Sequence, residues 1–271
     1  MVTAGCASRP LPDVLRRIVA RRRERFAVVP GALALPPAGG TAPAPLARAE
    51  NRFLAAIAAA RGRAVIAEVK MGSPRLGPLA GRVDPLRQAR AYAAGGATCL
   101  SVVVEPDFFF GSYELLTACR EASGLPAVAK DFVVDVRQLE AARAAGADAV
   151  LLVAALYSQS ELETLAAAAR RLGLVPLVET HDDAEVALLA GADWELVGVN
   201  NRDLRSFDVD LERSMALAPR LPAGALRVAE SGIATRGDVE RLAAAGFDAF
   251  LIGESLLVAD DPAAKLAELL G

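Results

Sequence analysis

The chain has 271 residues, of which 54% are hydrophobic and 23% are charged, and its net charge is -3 at pH 7. This length fits one large domain or two ordinary ones, and the composition excludes disorder for most of the chain. The net negative charge argues against a nucleic-acid-binding protein, which normally carries a basic face, so we expect small-molecule chemistry.

The cysteines, the single histidine and the apolar runs bear on cellular location and metal binding. Cys6, Cys99 and Cys119 are widely spaced, which is typical of reduced core thiols in a cytoplasmic protein. The longest apolar run, residues 149–157, is far too short for a bilayer, which needs about 20 residues, and the first fifteen residues lack a secretory pattern. Because His181 is the only histidine and no Cys/His ligands lie close together, we predict neither a metal site nor a membrane segment.

The N-terminal region differs from the rest of the chain. Residues 13–29 carry apolar side chains near helical spacing with arginines between them, which predicts an amphipathic helix. The arginine cluster favours a solvated helix face over a phosphate or nucleic-acid patch. Residues 30–48 are rich in Pro, Ala and Gly and indicate a linker, and a short helix is predicted over 51–60. We predict that residues 1–48 pack as an extension on a catalytic domain of residues 49–271.

From residue 64 onward, short apolar runs alternate with segments of helical periodicity. The predicted strands are 64–69, 99–104, 127–130, 148–153, 174–178, 195–199, 226–229 and 248–252. The predicted helices are 84–94, 112–122, 135–145, 159–172, 182–190, 210–218, 236–245 and 261–270. Such alternation predicts a parallel sheet closed into a single (β/α)8 TIM barrel, an α/β fold, with an N-terminal helical extension. The alternative is an open doubly wound sheet, whose Gly-x-Gly-x-x-Gly fingerprint is absent after the first strand.

Polar side chains recur where the predicted strands end. Glu68 and Lys70 are two residues apart and therefore share one face of the first strand, just before the turn at residues 72–74. Later strands end in Lys130 and Asp131, Glu179, Asn200 and Arg202, and Glu230, Ser231 and Gly232. Because the carboxyl ends of barrel strands meet at the face that holds active sites, we predict that these side chains form one reaction site.

Two glycine-containing turns, Ser231-Gly232-Ile233 and Gly253-Glu254-Ser255, follow the last two predicted strands. Barrels bind phosphate at this position through backbone N–H groups, and glycine permits the close approach that an anion needs. Ser73 could add a hydroxyl group. Ordinary tight turns are the alternative, but their position favours a phosphate site.

Apolar side chains gather near the same predicted rim: Phe108, Phe109, Phe110, Phe132, Leu151 and Leu204. Three successive phenylalanines in a loop need a cover, and either the N-terminal helix or an aromatic substrate would provide it. Together with the phosphate turns and the charged groups, such a slot suits an aromatic sugar phosphate. His181, two residues beyond Glu179, is interpreted as a solvated loop or helix-entry residue rather than an acid or base.

Seven ordered motifs make the chain resemble the indole-3-glycerol phosphate synthase family along nearly its whole length. They are Ala-Glu-Val-Lys-x-x-Ser-Pro at 67–74, Leu-Ser-Val-Val-Val-Glu-Pro-x-Phe-Phe-x-Gly-Ser at 100–112, Lys-Asp-Phe at 130–132, Pro-Leu-Val-Glu at 176–179, Gly-Val-Asn-Asn-Arg-Asp-Leu at 198–204, Ala-Glu-Ser-Gly-Ile at 229–233 and Phe-Leu-Ile-Gly-Glu-Ser-Leu at 250–256. The resemblance implies a carbon–carbon lyase of tryptophan biosynthesis. Its reaction closes the ring of 1-(2-carboxyphenylamino)-1-deoxyribulose 5-phosphate with loss of CO₂ and water, without cofactor or metal. We expect a monomer or a weak homo-oligomer.

The resemblance also implies roles for individual residues. Lys130 would be the general acid that protonates the ribulose carbonyl oxygen, and Glu179 and Lys70 would move protons in the dehydration, with their division open. Glu68 would hold the lysines, and Asn200 and Glu230 would bind hydroxyl or carboxylate groups with the support of Arg202. The implied catalytic set is Glu68, Lys70, Lys130, Glu179, Asn200, Glu230 and Ser231. The implied phosphate cradle is Ser73, Ser231, Gly232, Gly253 and the backbone of Glu254, and the implied anthranilate slot is Phe109, Phe132, Leu151 and Leu204.

Four positions depart from the family pattern. Many relatives have Lys or Arg at position 71 or 72, Thr at 104 and Lys at 107, where this chain has Met71, Gly72, Val104 and Asp107. These departures concern the first and second loops and leave the central polar positions intact. A Schiff-base lyase of the class I aldolase type and a non-catalytic phosphate-ligand sensor are the alternative functions.

Overall fold

Eight parallel strands form a closed barrel in the computed structural model of this protein, which describes residues 11–27 and 43–271. The barrel strands are β1 (Ala64–Val69), β4 (Cys99–Val103), β5 (Ala127–Lys130), β6 (Ala149–Val153), β7 (Val175–Thr180), β8 (Leu196–Asn200), β9 (Leu226–Glu230) and β10 (Ala249–Ile252). The barrel closes where Ala64 of β1 pairs with Ala249 of β10. The first loop carries a small antiparallel hairpin of β2 (Gly72–Ser73) and β3 (Gly77–Pro78), which was not predicted. The predicted (β/α)8 fold is confirmed.

Most of the helices follow a barrel strand and cover the outer face of the barrel, whereas the first two precede the barrel. Their bounds are α1 (Asp13–Phe26), α2 (Arg52–Ala59), α3 (Pro85–Ala94), α4 (Tyr113–Ser123), α5 (Val136–Ala144), α6 (Gln159–Arg171), α7 (Asp183–Ala187), α8 (Glu212–Leu217), α9 (Arg236–Ala244), α10 (Glu254–Leu257) and α11 (Pro262–Leu270). Most begin at a side-chain cap, such as Ser158, which accepts a hydrogen bond from the backbone of Glu161. The short helix α10 was not predicted.

Several predictions near the N-terminus concern residues outside the described ranges. Helix α1 ends at Phe26 because Ala27 adopts a left-handed conformation with φ 51°, so the predicted continuation is one residue too long there. Its predicted last residues, most of the 30–48 linker, and Cys6 lie outside the described part. Cys99 and Cys119 are buried and unpaired. Within the described ranges, no helix is both long and apolar enough to cross a membrane. The boundary at residue 48 stays a prediction.

The barrel interior is filled by alternate residues of the strands. Ile66, Val128, Leu177 and Val228 come from β1, β5, β7 and β9 and are buried in one interior cluster. This is the layered packing of a (β/α)8 barrel, in which alternate strands contribute to each layer. Helix α2 inserts its apolar side chains into the same cluster and closes the end of the barrel opposite the loops that follow the strands.

Helix α1 packs at the other end of the barrel, over the loops that follow the strands. Leu15 and Val19 are buried against Val134, just after β5. The expectation of a solvated arginine face is wrong for Arg22, which is only 3% exposed and forms an ion pair with Asp131. The other arginines with described side chains on α1 are exposed or partly exposed. A buried guanidinium needs a charged partner, and Asp131 supplies it.

Candidate active site

Four charged side chains occupy one layer of the barrel, two residues beyond the apolar layer of Ile66, Val128, Leu177 and Val228. Glu68, Lys130, Glu179 and Glu230 come from the same four strands. Lys130 Nζ lies 3.3 Å from Glu230 Oε2, 3.5 Å from Glu68 Oε2 and 3.8 Å from Glu179 Oε2. One ammonium group therefore faces three carboxyl groups at the end of the apolar core.

Lys70 adds a second amine above this layer. Its Nζ donates a hydrogen bond to Glu68 Oε1 at 2.8 Å, so Glu68 contacts both lysines. Burial would raise the pKa of Glu68, but the attraction of Lys70 and Lys130 outweighs burial and lowers the pKa to about 2. Glu68 is thus an ionised carboxylate that fixes the position of two ammonium groups.

The other two carboxyl groups are driven toward opposite protonation states. Burial raises the pKa of Glu230, and its neighbour Glu179 reinforces the shift. Burial acts on Glu179 too, but the neighbouring His181 and the charge of Lys130 lower its pKa below the ordinary value. Lys130 is itself held charged, because the three carboxyl groups outweigh the effect of burial and raise its pKa. A charged amine beside an ionised carboxylate supplies an acid and a base in one site.

Two glycines make room for these carboxylates. A Cβ atom at Gly198 would lie 2.2 Å from Glu230 Oε1, and one at Gly253 would lie 2.5 Å from Glu68 Oε1. Any larger residue would therefore displace a charged side chain of the layer. Gly198 was absent from the predicted site, although it opens the motif at 198–204 and lies two residues before Asn200 on the same strand.

Above the charged layer, a cavity of about 700 Å³ opens between the loops. Fifteen of the sixteen predicted site residues line it: Glu68, Lys70, Ser73, Phe109, Lys130, Phe132, Leu151, Glu179, Asn200, Arg202, Leu204, Ser231, Gly232, Gly253 and Glu254. The exception is Glu230, which is fully buried behind Lys130. Its predicted contact with a substrate hydroxyl or carboxylate group stays a prediction, and in this structure its side chain contacts Lys130.

The turns predicted to hold phosphate lie together on one side of this cavity. Ser231 and Gly232 both have positive φ angles, 68° and 80°, and Asn201 Nδ2 donates to the carbonyl oxygen of Ser231 at 3.1 Å. Gly232 is also required by packing, because a Cβ there would lie 2.2 Å from Val209 Cγ1. Ser73 of the first loop also lines the cavity. Its hydroxyl group accepts a hydrogen bond from the backbone N–H of Leu76 and can still donate its own proton.

Two arginines bind the side chain of Glu254 at the cavity rim. Arg202 Nη2 lies 2.9 Å from Glu254 Oε2, and Arg75 from the first loop contacts Glu254 Oε1. The carboxylate is thereby neutralised beside a turn that would otherwise be less favourable for an anion. Arg202, predicted as a substrate-binding residue, lines the cavity but is occupied by Glu254 in this structure. Arg75 was not predicted, because nothing in the sequence links it to Glu254.

The apolar side of the cavity is formed from the loops and from helix α1. Phe109 and Phe132 pack with their ring centroids 6.0 Å apart, and Leu151 and Leu204 lie nearby. Val14, Leu15 and Ile18 of α1 complete this wall. Sequence reasoning missed these three residues, although the apolar face of the predicted amphipathic helix was the available signal.

The three consecutive phenylalanines have different environments, and the N-terminal helix covers one of them. Arg17 of α1 lies over the ring of Phe108 at 5.8 Å from its centroid. Phe109 faces the cavity, and its cover by an aromatic substrate stays a prediction. Phe110 is exposed, and its ring lies so close to Gly72 that a Cβ there would be 2.4 Å from Phe110 Cδ2.

These contacts account for two departures from the family pattern. Gly72 leaves space for Phe110, so the first and second loops touch. Asp107 accepts a hydrogen bond from Arg25 of α1 at 2.8 Å and another from Arg21 at 3.3 Å. The arginines of this chain therefore complement the acidic residue at position 107. Val104 is buried in the core outside the barrel, and nothing in the structure explains Met71.

The prediction that His181 is solvated is wrong, although its predicted place at a helix entry is right. It directly precedes Asp182, the N-cap of α7, so it is a helix-entry residue, but its side chain is only 9% exposed and is not solvated. Its ring lies between Glu179 and Glu185. Among the described residues, no group of three or more His, Cys, Asp or Glu side chains is arranged to hold a metal ion.

Fold and site together define the class: a (β/α)8-barrel enzyme whose charged layer and glycine turns share one cavity at the carboxyl ends of the strands. Two solved structures show this fold at low sequence identity. They are thiamine phosphate pyrophosphorylase from Pyrococcus furiosus (16% identity, TM-score 0.56, 78% of this chain and 95% of that one) and 3-hexulose-6-phosphate synthase from Salmonella typhimurium (17% identity, TM-score 0.60, 76% and 96%).

Sequence comparison identifies the family. The family model for indole-3-glycerol phosphate synthase matches residues 15–269. Proteins described as indole-3-glycerol phosphate synthase from Albidiferax ferrireducens and Azoarcus sp. are 43% and 44% identical, over 96% of this chain and 98% and 100% of theirs. The chain belongs to the indole-3-glycerol phosphate synthase family, and it is accordingly a carboxy-lyase of tryptophan biosynthesis.

Proposed function

We propose that this chain converts 1-(2-carboxyphenylamino)-1-deoxyribulose 5-phosphate into indole-3-glycerol phosphate, CO₂ and water, with Lys130 as the general acid. The observation that carries the assignment is the position of Lys130, whose charged amine lies on the cavity wall among three carboxyl groups. A buried, positioned ammonium group can donate a proton to an oxygen that gains negative charge.

The first chemical step forms the new carbon–carbon bond. The aromatic carbon that bears the carboxylate attacks the ribulose carbonyl carbon, and Lys130 protonates the carbonyl oxygen as its double bond opens. The aromatic nitrogen becomes an iminium, and loss of CO₂ returns the bonding electrons to the ring. Much of the acceleration comes from folding the flexible substrate so that its two reacting carbons meet.

The second step is a dehydration, for which we assign roles from the starting protonation states. Glu179 is ionised, so it can only accept, and it removes the proton from the carbon next to nitrogen. Lys70, paired with Glu68 at 2.8 Å, protonates the departing hydroxyl group, which leaves as water. Glu68 holds both lysines in place, and Asn200, whose Oδ1 accepts from the Arg202 backbone at 3.0 Å, offers its NH₂ group to substrate oxygens.

The remaining groups bind the two ends of the substrate. We assign the phosphate to Ser73, the turn at Ser231 and Gly232, and the turn at Gly253 and Glu254, whose glycines allow close backbone approach. The anthranilate ring fits the slot of Phe109, Phe132, Leu151 and Leu204, with helix α1 as its outer wall.

Two buried free thiols, Cys99 and Cys119, agree with a cytoplasmic location, and we propose a monomer or a weak homo-oligomer.

The direct test is to add the anilino-deoxyribulose phosphate to the purified protein and follow indole absorbance and fluorescence. The proposal expects indole formation with release of one CO₂ per indole. Borohydride added during turnover tests the aldolase alternative. That alternative requires a covalent Schiff base on Lys130 or Lys70, which borohydride would trap as a stable adduct. A charged Lys130 has no free electron pair for that attack, so we expect no trapped adduct; an adduct without indole formation would refute the proposal.

A further inference from the structure

His181 is a titratable residue next to the site, and the proposed chemistry gives it no role. The side chain is buried at the start of α7 and does not line the cavity, so it does not reach the substrate. Its Nδ1 lies 3.0 Å from Glu185 Oε2, and its Nε2 lies 3.3 Å from Glu179 Oε1. The ring therefore bridges a carboxylate of the supporting helix to a carboxylate of the charged layer.

Glu185 fixes the ring from two directions. Its Oε2 accepts a hydrogen bond from the backbone N–H of His181 at 2.9 Å as well as contacting Nδ1. Glu185 is itself held because its backbone N–H donates to the Asp182 side chain at the start of α7. With Nδ1 occupied in this way, Nε2 is directed at Glu179. This 3.3 Å contact does not have hydrogen-bond geometry, and Nε2 has no other hydrogen-bond partner within residues 11–27 and 43–271.

The two oxygens of Glu179 are divided between two cations. Oε1 faces His181 at 3.3 Å, and Oε2 faces Lys130 at 3.8 Å. Without His181, Glu179 would share a buried layer with Glu68 and Glu230, and Lys130 would be its one cationic contact among the described residues. Such a setting favours protonation of the carboxyl group. A protonated Glu179 cannot act as a base.

We propose that His181 is a positioning residue, held by Glu185, which orients Glu179 and keeps it ionised for proton removal in the dehydration step. The inference rests on the proposed role of Glu179. Burial alone would lower the pKa of His181, but Glu179 and Glu185 outweigh it and raise the pKa to about 10, so both ring nitrogens carry a proton near neutral pH. The charged groups facing it are Glu179 from β7 and Glu185 from α7, with Lys130 of β5 behind Glu179.

The kinetic test compares His181→Ala with His181→Gln. Alanine removes the N–H group that faces Glu179, and we expect kcat to fall about 10²-fold while KM stays within about threefold. Glutamine can place an N–H group near the position of Nε2 but carries no charge, so we expect it to orient Glu179 and to restore part of the lost kcat. Asp183→Asn is the matched control, because Asp183 is an exposed carboxylate on the same helix, and its kcat should not change.

Two further measurements separate the possible results. Since the chain has a single histidine, its ring resonances can be followed by NMR, and its titration midpoint should fall in Glu179→Gln. An unchanged midpoint, full activity in His181→Ala, or equal losses in the alanine and glutamine variants would overturn the role of His181. The Glu179→Gln variant, measured in parallel, distinguishes failure of the two proposals. Full activity in Glu179→Gln refutes the proposed function of Glu179. An inactive Glu179→Gln together with an active His181→Ala refutes only the positioning role of His181.

Discussion

Lys130 illustrates how the barrel turns buried charges into reactive groups. A lone ammonium group in an apolar core would lose its proton, but three carboxyl groups within 4 Å keep Lys130 charged. The pKa of each carboxyl group is shifted by a different cause. Lys70 helps to lower the pKa of Glu68, His181 helps to lower that of Glu179, and burial raises that of Glu230. The layer therefore contains a protonated amine and an ionised carboxylate side by side.

The low pKa of Glu68 makes a pH-dependent contribution to stability. Its folded-state pKa of about 2 lies below the ordinary 4.5, so the stabilisation is complete above pH 4.5 and is lost as the pH falls through 2. We expect the free energy of unfolding to drop across this window, by up to about 1.4 kcal/mol per pH unit from this group. Urea denaturation of Glu68→Gln between pH 4.5 and 2 should give a flatter profile, and identical profiles would contradict the ion-pair account.

Gly198→Ala tests whether the charged layer needs its glycines. The new methyl group would lie 2.2 Å from Glu230 Oε1, so Glu230 must leave its present position beside Lys130. We expect turnover of the aromatic sugar phosphate to fall about 10²-fold, the loss typical of a misplaced reactive group. The control is Gly237→Ala on helix α9, where the nearest atom is 3.7 Å away and activity should be unchanged. Equal activity in both variants would show that Glu230 is not positioned by Gly198.

At the scale of elements, helix α1 adds an apolar wall to the site from outside the barrel. It covers the cavity with Val14, Leu15 and Ile18 and is fastened by a buried ion pair between Arg22 and Asp131. Asp131 directly follows Lys130 and also accepts a hydrogen bond from Gln138 at 2.9 Å. The helix is therefore linked to the strand that carries the proposed acid.

Removal of this link should affect both stability and substrate binding. Arg22→Met leaves the Asp131 carboxylate buried without its cation, and we expect unfolding free energy to fall by about 3 kcal/mol and KM to rise. Arg16→Met is the control, since Arg16 and its partner Asp13 are exposed and such pairs contribute less than about 1 kcal/mol. Urea denaturation and steady-state kinetics measure both effects, and matching values for the two variants would argue against anchoring by Arg22.

For the whole molecule, local pattern was sufficient to predict the barrel and much of the site. The alternation of apolar strands and helices is a short-range signal, and the polar residues at strand ends follow from the shared geometry of parallel strands. Contacts between distant segments were not predictable in this way. Arg22 and Asp131 are 109 residues apart, and the burial of His181 depends on how α7 packs, which no local pattern reveals.

The central claim is that the charged layer performs chemistry while the turns and the apolar slot bind the substrate. Lys130→Met tests it most directly, because methionine keeps an unbranched side chain of similar length and removes the proton donor. We expect indole formation, measured by single-turnover fluorescence, to fall by at least about 10³-fold, with the affinity for the substrate changed by less than about threefold. Indole formation at the rate of the unchanged protein would contradict the claim.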